Sequence, residues 1–257
     1  MHVENSNLPK HIAIIMDGSR RWAKENNKSR KSGHNAGALA VRKTIEHAVE
    51  RGIKSLSLYA FSKENWKRPK EEVEHLMKLF IRVLKNNQKF LIKNNIKFTP
   101  IGDLAGFSLD MQHKLHDLVE KTKENTGLKL NIAINYSGRW DLTNATAKVV
   151  SNALDELKES LDSTQDLLTK IEELKRRYAQ EGFLVNLIEE NLSVTDQDPI
   201  DLVIRTSNEQ RISNFFLWQA AYSEFVFLEE YWPEFDAKVF DRAIDIFSKR
   251  VRRFGGV

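Results

Sequence analysis

Asp17 is followed at once by Gly18, Ser19, Arg20, Arg21 and Trp22, an order of residue types that can do chemistry. The carboxylate ends an apolar run over residues 12–16, Gly18 permits a tight turn, and Ser19 is a good helix N-cap. Arg20 and Arg21 then open a helix, so a carboxylate stands beside a helix N-terminus and guanidinium groups. That set suits a metal ion bridged to a phosphate. An ordinary strand–turn–helix with a capping Asp accounts for the same residues. Further arginines, Arg30, Arg68, Arg205 and Arg211, fall at predicted strand ends or in the loops beyond them. Guanidinium forks bind phosphate oxygens bidentately and stay charged when partly buried. Each alone reads as a surface residue or an ion-pair partner; grouped with Asp17 and Glu224 at one sheet edge, they read as an anion site. Ser62, Asn65 and Trp66 share one loop, where Asn65 is a turn former or a polar site group and Trp66 a loop anchor or a site wall. His34 could orient a phosphate.

These residues need a frame that gathers strand ends. The run at 12–16 stops at Asp17-Gly18 and reads as a strand buried on both faces, as in a parallel sheet. Ligands of open parallel sheets bind beyond the carboxyl ends of the strands. Apolar residues then recur at helical spacing from Leu39 until Gly52. Further strands are predicted over 54–61, 97–103, 128–136, 201–206 and 224–228, with 97–103 at an edge because Pro100 interrupts it. Helices are predicted over 70–94, 109–124, across the charged stretch 155–192, over 215–222 and over 237–252. The alternation implies an α/β fold, a mostly parallel sheet of about six strands flanked by helices. No linker, repeat or low-complexity stretch interrupts it, so a single domain over 1–257 is expected.

The 257 residues, 41% hydrophobic and 30% charged, describe a globular chain, and a formal charge of +4 gives no reason to expect nucleic acid. With no Cys, disulfides, thiolate metal sites and cysteine nucleophiles are excluded. The first ten residues lack the basic and apolar regions of a secretory signal, and no apolar stretch reaches membrane-spanning length. The expectation is a cytoplasmic protein. The sequence holds no P-loop, dinucleotide fingerprint, nucleophile elbow, paired zinc-type histidines or Asp-Asp pair.

Ordered motifs run along nearly the whole chain: residues 11–23, Gly33-His34-x-x-Gly37, the Tyr-Ala-Phe-Ser-x-Glu-Asn-Trp-x-Arg-Pro of 59–69, Ile-Gly-Asp at 101–103 and Asn-Tyr-x-Gly-Arg-Trp at 135–140. The stretch 201–219, Trp-Pro-x-Phe at 232–235 and the terminal Arg-Phe-Gly-Gly complete the set, with 155–192 the least distinctive part. Together they resemble the cis-prenyltransferase family. The resemblance implies a homodimeric, Mg²⁺-dependent enzyme that adds isopentenyl diphosphate repeatedly to an allylic diphosphate such as farnesyl diphosphate. Z double bonds result, in a polyprenyl product of undecaprenyl length. It implies an apolar tunnel for the product, with Leu56, Leu58, Ala60, Leu76, Leu84 and Ile132 as lining or plain core, and a peripheral contact with the membrane that receives the product.

Carried over by position, the resemblance assigns Asp17 to Mg²⁺ and to departure of the allylic diphosphate. Gly18, Ser19, Arg20, Arg21, Trp22, Arg30 and His34 would cradle that diphosphate. Asn65, within Ser62, Lys63, Glu64 and Trp66, would take part in proton loss, with Arg68 nearby. An amide is a poor general base, so Asn65 is expected to act through the diphosphate or by positioning. Arg205, Arg211, Ile212 and Ser213 would bind isopentenyl diphosphate, Glu224 would be a second metal carboxylate, and Arg253 and Gly255 would come from the partner subunit. Ser19 and Arg20 replace the Asn and Gly of the family's commoner D-G-N-G-R-W, and Ser207 and Asn208 replace the glycines of R-T-G-G-E, which is expected to stiffen or reshape that loop. A short-chain or branching synthase, a non-catalytic subunit and, more remotely, a phosphatase are the alternatives.

Overall fold

Ile12, Ala13 and Ile14 are wholly shielded from solvent, and the strand that carries them organises the sheet. The structure is a computed structural model that describes residues 8–158, 164–180, 182–194 and 198–251. Strand β1 (His11–Ile15) pairs in parallel with β2 (Ser55–Ser62) on one side and β5 (Leu202–Arg205) on the other. With β3 (Lys97–Ile101), β4 (Lys129–Tyr136) and β6 (Glu224–Phe227) the order is β3-β4-β2-β1-β5-β6, every pairing parallel. Pro100, which cannot donate to a ladder, lies as expected in an edge strand.

Side chains alternate across the sheet. Ile12, Ile14, Leu56, Leu58, Leu130, Ile132, Leu202 and Ile204 enter one apolar core with residues of the helices described next. The interleaved positions of β1, β2 and β4 carry a buried polar seam. His11 Nδ1 lies 2.8 Å from Asp198 O, its Nε2 2.8 Å from Ser57 Oγ, and Asn131 Nδ2 donates to Ser57 Oγ at 2.9 Å. A carbonyl can only accept, so Nδ1 carries the proton and Nε2 accepts from the Ser57 hydroxyl. The buried polar groups thus satisfy one another.

The described residues fall into two compact units, one drawn from Met1–Ser137 with Gln197–Val257, the other from Gly138–Asp196. The first holds the sheet with helices α1 (Ser19–Glu25), α2 (Arg30–Glu50), α3 (Lys70–Lys93) and α4 (Leu109–Thr122). The second consists of α5 (Gly138–Lys158), α6 (Thr164–Tyr178) and α7 (Phe183–Asn191), of which α6 and α7 fall in the charged helical stretch expected over 155–192. Helix α8 (Ala237–Ser248) follows β6 in the first unit and packs Phe240, Ala243, Ile244 and Phe247 into its core. No helix among the described residues is long and apolar enough to cross a membrane.

Three details differ from the sequence expectation. Gly18, not Ser19, caps α1: it has φ +101°, and a Cβ there would lie 2.6 Å from Tyr231 Cδ1. Helix α2 starts early, at Arg30, where Ser29 Oγ accepts from Ser32 N. Gly33 is therefore helical, and it is needed because a Cβ would lie 2.2 Å from Ser19 O on α1. Residues 215–222 form successive turns instead of a helix. Ser213, Asn214 and Phe216 all have positive φ, which a right-handed helix cannot accommodate.

Candidate active site

The parallel sheet delivers Asp17 and Arg205 to the same place. Ile15 pairs with Arg205 in the β1–β5 register, so Asp17 stands just beyond β1 where β5 ends in its arginine. Arg205 Nη2 donates to Asp17 Oδ2 at 2.8 Å, while Nη1 donates to Ser213 Oγ at 2.7 Å and to Arg211 O. Arg205 is only 3% exposed, and its Nε has no partner among the protein groups. The Asp17 backbone is fixed as well, through Thr206 Oγ1, which accepts from Asp17 N at 2.9 Å and donates to Asp17 O at 2.7 Å. Burial opposes ionisation of Asp17. The hydrogen bond and charge of Arg205, the charge of Arg21 and the Gly18 N–H outweigh it and hold the carboxyl below the usual carboxylate range. Arg21 Nη2 lies 3.3 Å from Asp17 Oδ1, and its Nη1 pairs with Glu209 at 2.7 Å.

Around this pair opens a polar cavity of about 770 Å³. Asp17, Gly18, Ser19, Arg20, Arg21, Arg30, His34, Ser62, Asn65, Arg68, Arg205 and Ser213 all line it. Of the six arginines expected to converge, Arg20, Arg21, Arg30, Arg68 and Arg205 do so; Arg211 does not line the cavity, its guanidinium pairing with Glu209 while its carbonyl accepts from Arg205. Asn65 has a structural duty too: its Oδ1 accepts from Ser62 N at 3.2 Å, tying down the 3-10 turn Lys63–Lys67 between β2 and α3. An amide so held is a weak base with an NH₂ to offer a ligand, which suits positioning better than proton abstraction.

Lys63, Glu64 and Trp66 do not line the cavity; they brace the turn that carries Asn65. Lys63 pairs with Asp103 at 2.6 Å, Glu64 accepts from Asn214 at 2.9 Å, and Trp66 Nε1 donates to Asn135 Oδ1 at 2.8 Å. Trp22 is off the cavity, under Lys28 at 4.6 Å, and Ile212 does not line it either. Arg253 and Gly255 lie outside the described residues. Glu224 requires correction. It opens β6 opposite Leu202, at the amino end of the sheet, and pairs with Arg250 at 2.7 Å. Within this chain it cannot share a metal with Asp17 at the carboxyl end.

Two departures from the family pattern have a clear outcome. Ser207 and Asn208 have φ of 80° and 56°, so the loop keeps a glycine-type backbone with non-glycine residues. It is held by Ser207 N to Glu230 O at 2.8 Å and Asn208 N to Leu228 O at 2.7 Å.

Sequence reasoning missed Glu72. This carboxylate, in the first turn of α3, is 8% exposed and lies 3.3 Å from Arg68, 3.6 Å from Arg30, 3.7 Å from His34 and 4.0 Å from Arg20. The only signal was its place four residues after Arg68, which usually marks an exposed helix pair. His34 is 11% exposed. Burial, and then the charges of Arg68, His75 and Arg20, push it down to about 4 although Glu72 opposes them. The ring is neutral at pH 7. Unfolded chains bind a proton here from pH 6.5 downward and the folded protein only near 4, so stability falls as pH drops across that window. This contributes about 3 kcal/mol. Denaturant titrations at pH 7.5 and 5 should show a smaller acid loss in His34→Gln than in wild type; equal losses would assign the effect elsewhere.

A second, apolar cavity of about 170 Å³ adjoins the polar one. Both are lined by Met16, Ser19, His34, Ala60, Phe61 and Leu76. Beyond these, its wall includes Val41 and Ile45 of α2, Met77, Phe80, Val83 and Leu84 of α3, and Phe98, Leu130 and Ile132 of the sheet. Of the expected lining, Ala60, Leu76, Leu84 and Ile132 are present; Leu56 and Leu58 are closed core.

Comparison with known proteins agrees with this geometry. A family model described as "Putative undecaprenyl diphosphate synthase" matches residues 15–255. The chain is 46% identical over 252 residues, 98% of its length and 91% of the relative's, to a ditrans,polycis-undecaprenyl-diphosphate synthase, specific for (2E,6E)-farnesyl diphosphate, of Photorhabdus laumondii. It is 44% identical over 256 residues to the Pasteurella multocida protein of the same name, covering 100% of this chain and 98% of that one. Among solved structures, lavandulyl diphosphate synthase from Lavandula x intermedia in complex with dimethylallyl diphosphate superposes with a TM-score of 0.83 at 30% identity, covering 97% of this chain and 99% of that one.

Proposed function

Because the chain belongs to the cis-prenyltransferase family, whose model spans residues 15–255, we propose that it condenses isopentenyl diphosphate stepwise onto farnesyl diphosphate to give a Z-polyprenyl diphosphate, undecaprenyl diphosphate. The observation that carries this reading is the junction of a cationic cavity with an apolar one across shared residues. One half suits a diphosphate, the other the hydrocarbon attached to it.

In each round the allylic C–O bond breaks with its electron pair leaving on diphosphate. The double bond of isopentenyl diphosphate forms the new C–C bond, and loss of a proton restores an alkene. Arg20, Arg21, Arg30 and Arg68 neutralise the charge developing on the leaving group, and neutral His34 donates from its ring. Arg205, Arg211 and Ser213 take the isopentenyl diphosphate; the buried, unpartnered Arg205 Nε fits an anion at that point. Asn65 positions the proton that is lost. Departing diphosphate oxygens are the natural acceptor, since an amide carbonyl is a poor base.

Asp17 fits magnesium: the cation binds through one or two carboxylates together with substrate phosphates, and an ionised Asp17 lines the cavity. Magnesium bound there would supply Lewis-acid neutralisation of the leaving diphosphate. No cluster of three or more His, Cys, Asp or Glu able to hold a metal occurs among the described residues, so substrate oxygens would complete the coordination. The reading extends to a cytoplasmic homodimer that touches the membrane only peripherally.

Purified protein incubated with farnesyl diphosphate, labelled isopentenyl diphosphate and Mg²⁺ should yield extended chains whose mass gives their length. Absence of extension would overturn the reading, and activity of the protein alone rules out a purely supporting subunit. In the same assay Val83→Phe, which adds a ring to the apolar wall, should shorten the mean product by about one or more isoprene units. An unchanged product would separate Val83 from the path of the chain.

A further inference from the structure

Glu72 has no place in the chemistry above, yet it stands in the middle of the cations that perform it. Arg20, Arg30, Arg68 and His34 all lie within 4.0 Å of its carboxylate. Arg68 Nη1 donates to Oε1 at 3.3 Å, whereas Oε2 is buried without a hydrogen-bond partner. A structural ion pair needs one cation, and a helix-start acid needs none. This carboxylate is instead shared among side chains from α1, α2 and the turn before α3. Such sharing is the pattern of an anion bound in a cradle.

We infer that Glu72 is a resident competitor for the diphosphate cradle, a carboxylate that shares its cations and so weakens the grip on diphosphate. The inference rests on the function proposed above. A site that uses four guanidinium groups to pull off pyrophosphate, three of them beside Glu72, must also let pyrophosphate and each lengthened product go. With His34 neutral, those guanidinium groups set the positive charge of the cradle, and Glu72 cancels part of it. Its carboxylate sits at ion-pair distance in a poorly hydrated place, where charge acts more strongly than in water. Helix α3 also lines the apolar cavity through Leu76, Met77 and Phe80, so Glu72 shares a helix with the wall of that cavity.

The sign of one measurement decides the matter. Inorganic pyrophosphate is titrated calorimetrically, in magnesium-free buffer at low salt, into wild type, Glu72→Gln and Glu72→Asp. Glu72→Gln keeps the shape and removes the charge, and it should bind pyrophosphate about tenfold more tightly. Glu72→Asp keeps the charge and should stay near wild type. A carboxylate that merely organised the arginines would give the reverse, weaker binding in Glu72→Gln. Equal or weaker binding in Glu72→Gln, from a wild type that does extend chains, overturns this inference and leaves the function standing. A wild type that neither binds pyrophosphate nor extends chains overturns the function itself.

Discussion

Asp17→Ala should lower chain extension by about 10³-fold or more while leaving the binding of an allylic diphosphate largely intact. The cations of the cradle reach the cavity from α1, α2 and the turn before α3, and none depends on Asp17 for its position except Arg21. Binding and chemistry therefore separate at this residue. The substitution also strips a carboxylate from Arg205, which is buried, so Asp17→Asn serves as the control that keeps shape and a hydrogen-bond acceptor. Both variants should lose turnover in single-turnover assays with bound farnesyl diphosphate. Retention of activity within tenfold of wild type in Asp17→Asn would remove the carboxylate from the mechanism. The depressed Asp17 carboxyl predicts its place in the pH profile too. It stays ionised at all pH values above the ordinary carboxylate range, and its contribution to stability is lost only as pH falls through its own lowered pKa. Any activity lost on acidification between pH 7 and 5 must come from another group.

What made the site legible was the direction of the strands. An apolar run ended by Asp17-Gly18 places a carboxylate at the carboxyl edge of a parallel sheet, and Arg205, last in its own strand, follows to the same edge. Glu224 went astray by the same logic: it begins its strand, and in a parallel sheet beginnings lie at the far edge. The sequence reading set it beside Asp17 although it opens the predicted strand 224–228. The turns at 215–222 could not be read, because an apolar segment of that composition makes a helix unless its backbone is forced otherwise. Here Ser213, Asn214 and Phe216 take positive φ to bring Ser213 Oγ onto Arg205. Ser207 and Asn208 present a similar case, with a backbone conformation preserved without the glycines that usually announce it. Glu72 escaped because an acid in a first helical turn is commonplace, and only the convergence of separate elements makes it unusual.

Arg205→Met should produce the second large effect, and it tests whether this arginine works on substrate or only on the fold. Its guanidinium meets three acceptors from three parts of the loop and strand, Asp17 Oδ2, Ser213 Oγ and Arg211 O. Removing it leaves those acceptors short of a donor and Asp17 without its nearest cation, at a cost of about 3 kcal/mol in stability. The double variant Asp17→Asn/Arg205→Met should cost less than the sum of the single ones, since each alone leaves the other's group unpaired. A purely structural arginine would show that coupling and nothing more. If Arg205 also holds the isopentenyl diphosphate, Arg205→Met measured well below its melting temperature should raise KM for that substrate about 100-fold with the KM for farnesyl diphosphate nearly unchanged. Arg205→Lys keeps the charge without the fork and should recover part of the stability but little of the affinity. Equal rises in both KM values would confine Arg205 to the fold and move the isopentenyl site elsewhere along the rim.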